Sequence, residues 1–147
     1  MLFRSILSQN NISNNLVFKI SNILIDKNDV FVSSNSGDLF NFNLDTGEIK
    51  WSQKLSSIQN HIITDKFLFV LTENAYVVAF NKFNGSILWS LNLNKYSKSI
   101  IEGSNVGIFS TPINNDHFGL LLGSGHLYIT SASGYIFKIS EIGRAHV

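Results

Sequence analysis

Short apolar runs separated by turn residues set the rhythm of this chain. No long stretch keeps apolar positions at spacings of three, four and seven between capping residues, so helices are not expected. Runs rich in Val, Ile and Phe predict strands instead. Residues 16–25 predict a first strand, turned by Asp26-Lys27-Asn28-Asp29. Residues 30–34 follow, and Asn35-Ser36-Gly37-Asp38 is a hairpin signal because glycine supplies positive φ. Residues 39–44, the turn Asp45-Thr46-Gly47 and residues 48–55 complete four antiparallel strands. The scheme then recurs with strands at 58–64, 67–72, 75–81 and 86–93, turned at Glu73-Asn74 and Phe83-Asn84-Gly85.

The recurrence is a sequence repeat. Trp51 and Trp89 lie 38 residues apart, and Phe31/Phe69, Val32/Val70, Phe42/Phe80, Asn43/Asn81, Gly47/Gly85, Ile49/Ile87 and Leu55/Leu93 are identical at that offset. A period of this size built from short strands predicts stacked four-stranded blades, and the fold class expected is an all-β partial β-propeller of about three blades. A third copy begins at Leu127, where residues 127–137 align on 30–40, with Gly134 on Gly37. It follows the second copy by 59 residues rather than 38, so an insertion loop is expected at 94–109. Long loops in compact repeats often carry binding. Thr111-Pro112 is expected to open the first strand of the third blade. The blades are placed at about 16–55, 58–93 and 110–140. Residues 1–5 and 141–147 read as translated short-read sequencing adapters in opposite orientations, so 6–140 is taken as the partial propeller domain and both ends as foreign.

Composition narrows the function more than it defines it. Hydrophobic content of 44% supports a sizeable core, while charged residues are only 14%, against roughly 25% in ordinary soluble domains. A net charge of +1 with no basic stripe argues against nucleic-acid binding. No apolar run approaches the 18 or so residues that span a membrane. The absence of cysteine excludes disulfides and thiolate metal sites within this sequence.

No residues assemble into a catalytic motif. Trp51 and Trp89 are expected to be packing residues on the outer strand of each blade, wedged against the neighbouring blade. Gly47 and Gly85 are turn glycines, since a phosphate-binding loop needs a following helix. His61, His117 and His126 show no zinc-pair spacing. Asp26, Asp29, Asp38, Asp45, Asp65 and Asp116 fall nearly all in turns, where Asp bonds its own backbone. Ser104, Ser110 and Ser124 lack a nucleophile-elbow context. Catalytic, cofactor and metal residues are therefore not assigned, and the positions singled out are the repeat residues Asn43, Gly47, Trp51, Asn81, Gly85, Trp89 and Gly134.

Those repeat residues carry a resemblance. The segments 79–89 and 41–51 resemble the tryptophan-docking motif of pyrroloquinoline-quinone-type β-propeller repeats, roughly Ala-x-Asp-x-x-x-Gly-x-x-x-Trp. Ala79, Asn81, Gly85 and Trp89 match one copy, with Asn where Asp is usual. Asn43, Gly47 and Trp51 match the other, with Asn41 in the Ala position. Residues 127–139 resemble the strand pair that precedes the motif. Two branches share the repeat. Quinoprotein dehydrogenases hold pyrroloquinoline quinone and calcium on the axis, in many cases with an adjacent cysteine pair, whereas the branch of outer-membrane protein assembly factor BamB is a cofactor-free periplasmic scaffold. Lacking cysteine, an adjacent acidic cluster and Arg outside 1–5 and 141–147, this sequence resembles the second branch more. That resemblance implies a non-catalytic protein-binding scaffold, a partner in the β-barrel assembly machinery, outer-membrane association through a lipid anchor outside this sequence, and no cofactor. A quinoprotein dehydrogenase, with quinone and calcium, is the alternative. A WD-type propeller is disfavoured because no Trp-Asp pair closes a blade.

Overall fold

A computed structural model of the chain describes residues 18–95, 117–131, 136–143 and 145–146. The strands are β1 (Leu24–Asp26), β2 (Asp29–Ser33), β3 (Asp38–Asn43), β4 (Ile49–Lys54), β5 (Ile62–Ile63), β6 (Phe67–Leu71), β7 (Tyr76–Asn81), β8 (Ile87–Asn92), β9 (His117–Gly123), β10 (His126–Ser131), β11 (Ile136–Ser140) and β12 (Ala145–His146). They form three four-stranded antiparallel sheets, each in simple meander order: β1-β2-β3-β4, β5-β6-β7-β8 and β9-β10-β11-β12. These are three blades of a propeller, the all-β architecture that the 38-residue period predicts.

Burial follows from each blade's place in the stack. In a strand, successive side chains point to opposite faces. Along β6, Leu68 and Val70 pack towards the first blade, whereas Phe69 and Leu71 pack towards the third. On β7, Val78 and Phe80 face one way and Val77 and Ala79 the other. Both faces of the middle blade are thus covered, which is why its inner strands read as nearly unbroken apolar runs. The first blade keeps an alternating pattern in Asp38-Leu-Phe-Asn-Phe-Asn43, with Leu39 buried and Phe40 and Phe42 half-buried. Two cores result, one in each space between blades. Phe31, Leu39 and Phe80 fill the first, and Phe69, Leu127, Phe137 and Ile139 the second. Burying each such side chain contributes roughly 1.5–3 kcal/mol.

The innermost strands are shorter than their apolar runs suggest. The run at 16–25 yields a strand only at Leu24–Asp26 plus an isolated bridge from Ile20 to Ser34, and 58–64 yields only Ile62–Ile63. Serine hydroxyls interrupt both ladders. Ser33 N donates to Ser21 Oγ (3.0 Å) where a ladder carbonyl would accept, and Ser57 Oγ donates to Leu71 O (2.6 Å) while accepting from Gln59 N (3.3 Å). Such side-chain bonds compete with sheet pairing.

The insertion expected at 94–109 lies outside the described residues from 96 onward, as do Thr111-Pro112 and Gly134. In the third sheet, β12 belongs to the segment read from sequence as foreign, and it pairs Ala145 with Ile139 and His146 with Lys138.

Candidate functional site

Of the repeat residues, Trp51, Gly85 and Trp89 lie at the contacts between blades, while Asn43, Gly47 and Asn81 shape turns. In the first two blades the pairing with the outer strand shifts register at the same place, between Asn41 and Phe42 opposite β4 and between Ala79 and Phe80 opposite β8. A β-bulge adds one residue and twists the strand. It sets Trp51 opposite Asn41 and Trp89 opposite Ala79.

Neither indole stays on its own blade. Trp51 Nε1 donates to Lys82 O in the second blade (2.9 Å), and its ring lies against Gly85, where a Cβ would sit 2.6 Å from Trp51 Cδ2. The ring stacks on Phe80 (6.4 Å between centroids, 24°) and tilts against Phe31 (5.9 Å). Gln53 Nε2 adds a bond to Gly85 O (2.7 Å). Trp89 repeats the arrangement one blade on: Nε1 donates to Glu141 O (2.9 Å), the ring covers Gly143, and Phe69 tilts against it at 5.9 Å.

The turn that receives the indole is built locally. Asn81 Oδ1 accepts from Phe83 N (3.0 Å) and Gly85 N donates to Asn81 O (2.8 Å). In the first blade, Asn43 Oδ1 accepts from Asp45 N (2.9 Å) and Thr46 N (3.0 Å), and Gly47 N donates to Asn43 O (2.9 Å). Only an acceptor oxygen at Oδ1 is used, so Asn serves where the repeat pattern usually has Asp. Gly47 and Gly85 have φ of +70° and +71°, the left-handed region that glycine enters at no cost. At Gly85 the missing side chain matters a second time, because the indole occupies its place. Gly143 closes a turn one residue shorter, with its N–H donating to Ser140 O (2.9 Å) and φ of +86°.

A polar seam runs between the first and second blades nearer their inner strands. His61 is buried, and its Nε2 lies 2.8 Å from Ser33 Oγ. Ser33 Oγ donates to Ser57 O (2.6 Å), so it accepts from the ring, and His61 carries its proton on Nε2. His61 Nδ1 is buried without a partner among the described residues. Desolvation by burial lowers the His61 pKa from 6.5 to about 4. The seam was not legible in the sequence: Ser21, Ser33 and Ser57 look like ordinary loop serines, and no spacing links them to His61. Beside it, a cleft of about 400 Å³ is lined in part by Asp26, Ile63, Thr64 and Lys82. Lys82 is buried, ion-paired with Asp26 and bonded to Thr64 O (2.9 Å). A second groove of about 500 Å³ runs between the two blades past Gly37, Leu55, Tyr76 and Phe80.

The remaining charged candidates are spread over turns. Asp29 and Asp38 pair with Lys50 and Lys54 (both 2.6 Å), and His126 Nδ1 contacts Ser124 O (2.9 Å). Among the described residues no three His, Asp or Glu side chains gather where a metal ion would be held. With Asp26 committed to Lys82, the described inner strands do not fit the carboxylate set that a quinone-bound calcium needs. Also among the described residues, no helix is long and apolar enough to cross a membrane.

Comparison with known proteins agrees with this architecture. The sequence model of the family described as outer membrane protein assembly factor BamB matches residues 4–91. No curated protein sequence matches the chain. Among solved structures, BamB from Moraxella catarrhalis is similar with a TM-score of 0.67 at 16% identity, covering 86% of this chain and 33% of that one. The quinohemoprotein alcohol dehydrogenase ADHIIG from Pseudomonas putida HK5 gives 0.62 at 9% identity, covering 85% and 19%. The computationally designed Ika4 protein gives 0.63 at 14% identity, covering 95% and 78%. The chain thus spans about a third of the length of the BamB structure it matches. At these identities the structural likeness shows the fold alone.

Proposed function

The chain belongs to the family described as outer membrane protein assembly factor BamB, and from that premise we propose that it is a non-catalytic propeller scaffold whose partners are proteins of outer-membrane β-barrel assembly. The observation that carries the reading is the family match, which covers residues 4–91 and so takes in the first repeat and both tryptophans. The site supports it in kind. The residues shared by the first two repeats serve as tryptophan-docking motifs that hold blade to blade, leaving the outward surfaces for recognition. Exposed apolar side chains on the outer strands, Ile49, Ile87 and Leu88, offer contact area of the sort that protein interfaces use. On this reading the protein works in the periplasm at the outer membrane, held there by a lipid anchor outside this sequence, and needs neither pyrroloquinoline quinone nor calcium.

Surface plasmon resonance of the purified chain against the purified β-barrel assembly machinery tests the proposal, alongside calorimetry with pyrroloquinoline quinone and calcium. Saturable binding to the machinery with no heat from the quinone is expected. Stoichiometric quinone binding, or no binding to the machinery, overturns the scaffold reading, and the first result favours a dehydrogenase.

A further inference from the structure

Asn84-Gly85 is the one place in this sequence where glycine follows asparagine. The pair sits in the turn between β7 and β8, with Asn84 exposed and Gly85 buried. Gly85 is clamped. Its N–H donates to Asn81 O (2.8 Å), its carbonyl accepts from Gln53 Nε2 (2.7 Å), and the Trp51 ring covers it. Asn84 Oδ1 accepts from Ser86 N (2.9 Å). The first blade makes the same turn with Thr46 in the place of Asn84, its Oγ1 accepting from Glu48 N (3.2 Å), so the turn does not require an amide there.

A side-chain amide followed by glycine is chemically labile. The next backbone nitrogen can close on the amide carbon, and glycine has no Cβ to obstruct it and the backbone freedom to bring it round. Gly85 N gives up its proton as it bonds to Asn84 Cγ; the Cγ–Nδ2 bond breaks and ammonia leaves with that proton. Water then opens the cyclic imide. Opening at Cγ leaves aspartate in an unaltered main chain. Opening at the main-chain carbonyl carbon leaves isoaspartate, whose chain runs through Cβ and Cγ and is longer by a methylene. The Ser86 N–H already meets Oδ1, the oxygen on which negative charge builds as the ring closes. What the folded turn withholds is the nitrogen, held by Asn81 O under the indole.

We infer that Asn84 is a site of spontaneous deamidation, gated by the contact of Trp51 with Gly85, and that the isoaspartate product keeps this contact from closing again. Gly85 N is free to attack only when the first blade draws back from the turn, and local openings of this kind are populated without global unfolding. The methylene of isoaspartate enters the main chain directly before Gly85. It displaces Gly85 from Asn81 O, from Gln53 and from the ring together, since each of those contacts depends on where Gly85 lies. A reversible opening between two blades is thereby made permanent, with water as the only co-reactant.

Peptide mapping by mass spectrometry of the chain held at mildly alkaline pH tests the inference. In unfolding urea Asn84 should convert before any other asparagine, and in buffer it should convert more slowly than in urea. Trp51→Phe keeps a ring but loses the bond to Lys82 O. Once circular dichroism shows it folded, it should convert in buffer roughly 2–12-fold faster than wild type, the change in open population on losing one such bond. If it does not fold, the wild-type comparison of buffer with urea decides the gating. Converted protein, separated by its added negative charge, should emit to the red of the unconverted chain. Asn84→Asp, with the same charge and an unaltered main chain, should not. Earlier conversion of another asparagine in urea, no slowing in buffer, an unchanged rate in folded Trp51→Phe, or converted protein that emits like Asn84→Asp overturns the inference.

Discussion

One methyl group at Gly85 should cost this protein far more than the same group at Gly47, although the two glycines are equivalent in sequence. Both have nearly the same positive φ, +70° and +71°, so alanine pays the same left-handed penalty at either, about 1–2 kcal/mol. The difference lies across the blade boundary. At Gly85 the new Cβ would lie 2.6 Å from Trp51 Cδ2 and Cε3, whereas at Gly47 nothing described is within 4 Å. A fused ring wedged between Phe31 and Phe80 has no easy retreat. Forcing extra carbon into such packing costs typically about 1–3 kcal/mol. If the ring tilts away it also weakens the Nε1 bond to Lys82 O, worth about 0.5–1.5 kcal/mol. Gly85→Ala is therefore expected to destabilise by about 1–3 kcal/mol more than Gly47→Ala. Urea titration followed by far-ultraviolet circular dichroism measures both, and the tryptophan emission maximum should shift red in Gly85→Ala alone. Equal losses at the two positions would refute the argument that the indole fills the place of a side chain.

Two further effects follow from buried charge. His61 has a folded-state pKa of about 4 against 6.5 unfolded, so the unfolded chain binds more protons between those values. Its stabilising contribution is present above pH 6.5 and is lost as the pH falls towards 4, amounting to about 3 kcal/mol at 1.36 kcal/mol per unit; the urea midpoint should drop over that window, and His61→Gln should flatten the dependence. Asp26→Ala leaves the Lys82 ammonium buried and unpaired, with a loss at the lower end of about 3–5 kcal/mol because Asp26 keeps some solvent contact. Lys82→Met should lose much less, and thermal melts of the two variants that rank them the other way would refute this account of the pair.

What the sequence determined by itself was local and periodic. The turns at 43–47 and 81–85 are made by residues within a few positions of one another, Asn Oδ1 accepting from nearby N–H groups and glycine taking positive φ. Chemistry of that range is written in consecutive letters, so the blade period and the meander order could be read directly. Tertiary structure decided everything that crosses between blades. That Trp51 rests on Gly85 rather than on its own Gly47, that Ser33 bonds both Ser57 and His61, and that Lys82 turns back to Asp26 are contacts between residues 24 to 56 positions apart. Even the strand ends depend on such partners, since Ser21 and Ser57 shorten the innermost strands only where the neighbouring strand or blade offers a group to bond. Alternation tells a residue which face it occupies. Only the packed neighbour tells it what it meets there, because the energy of an indole or a buried imidazole depends on the atoms around it and not on the letters beside it.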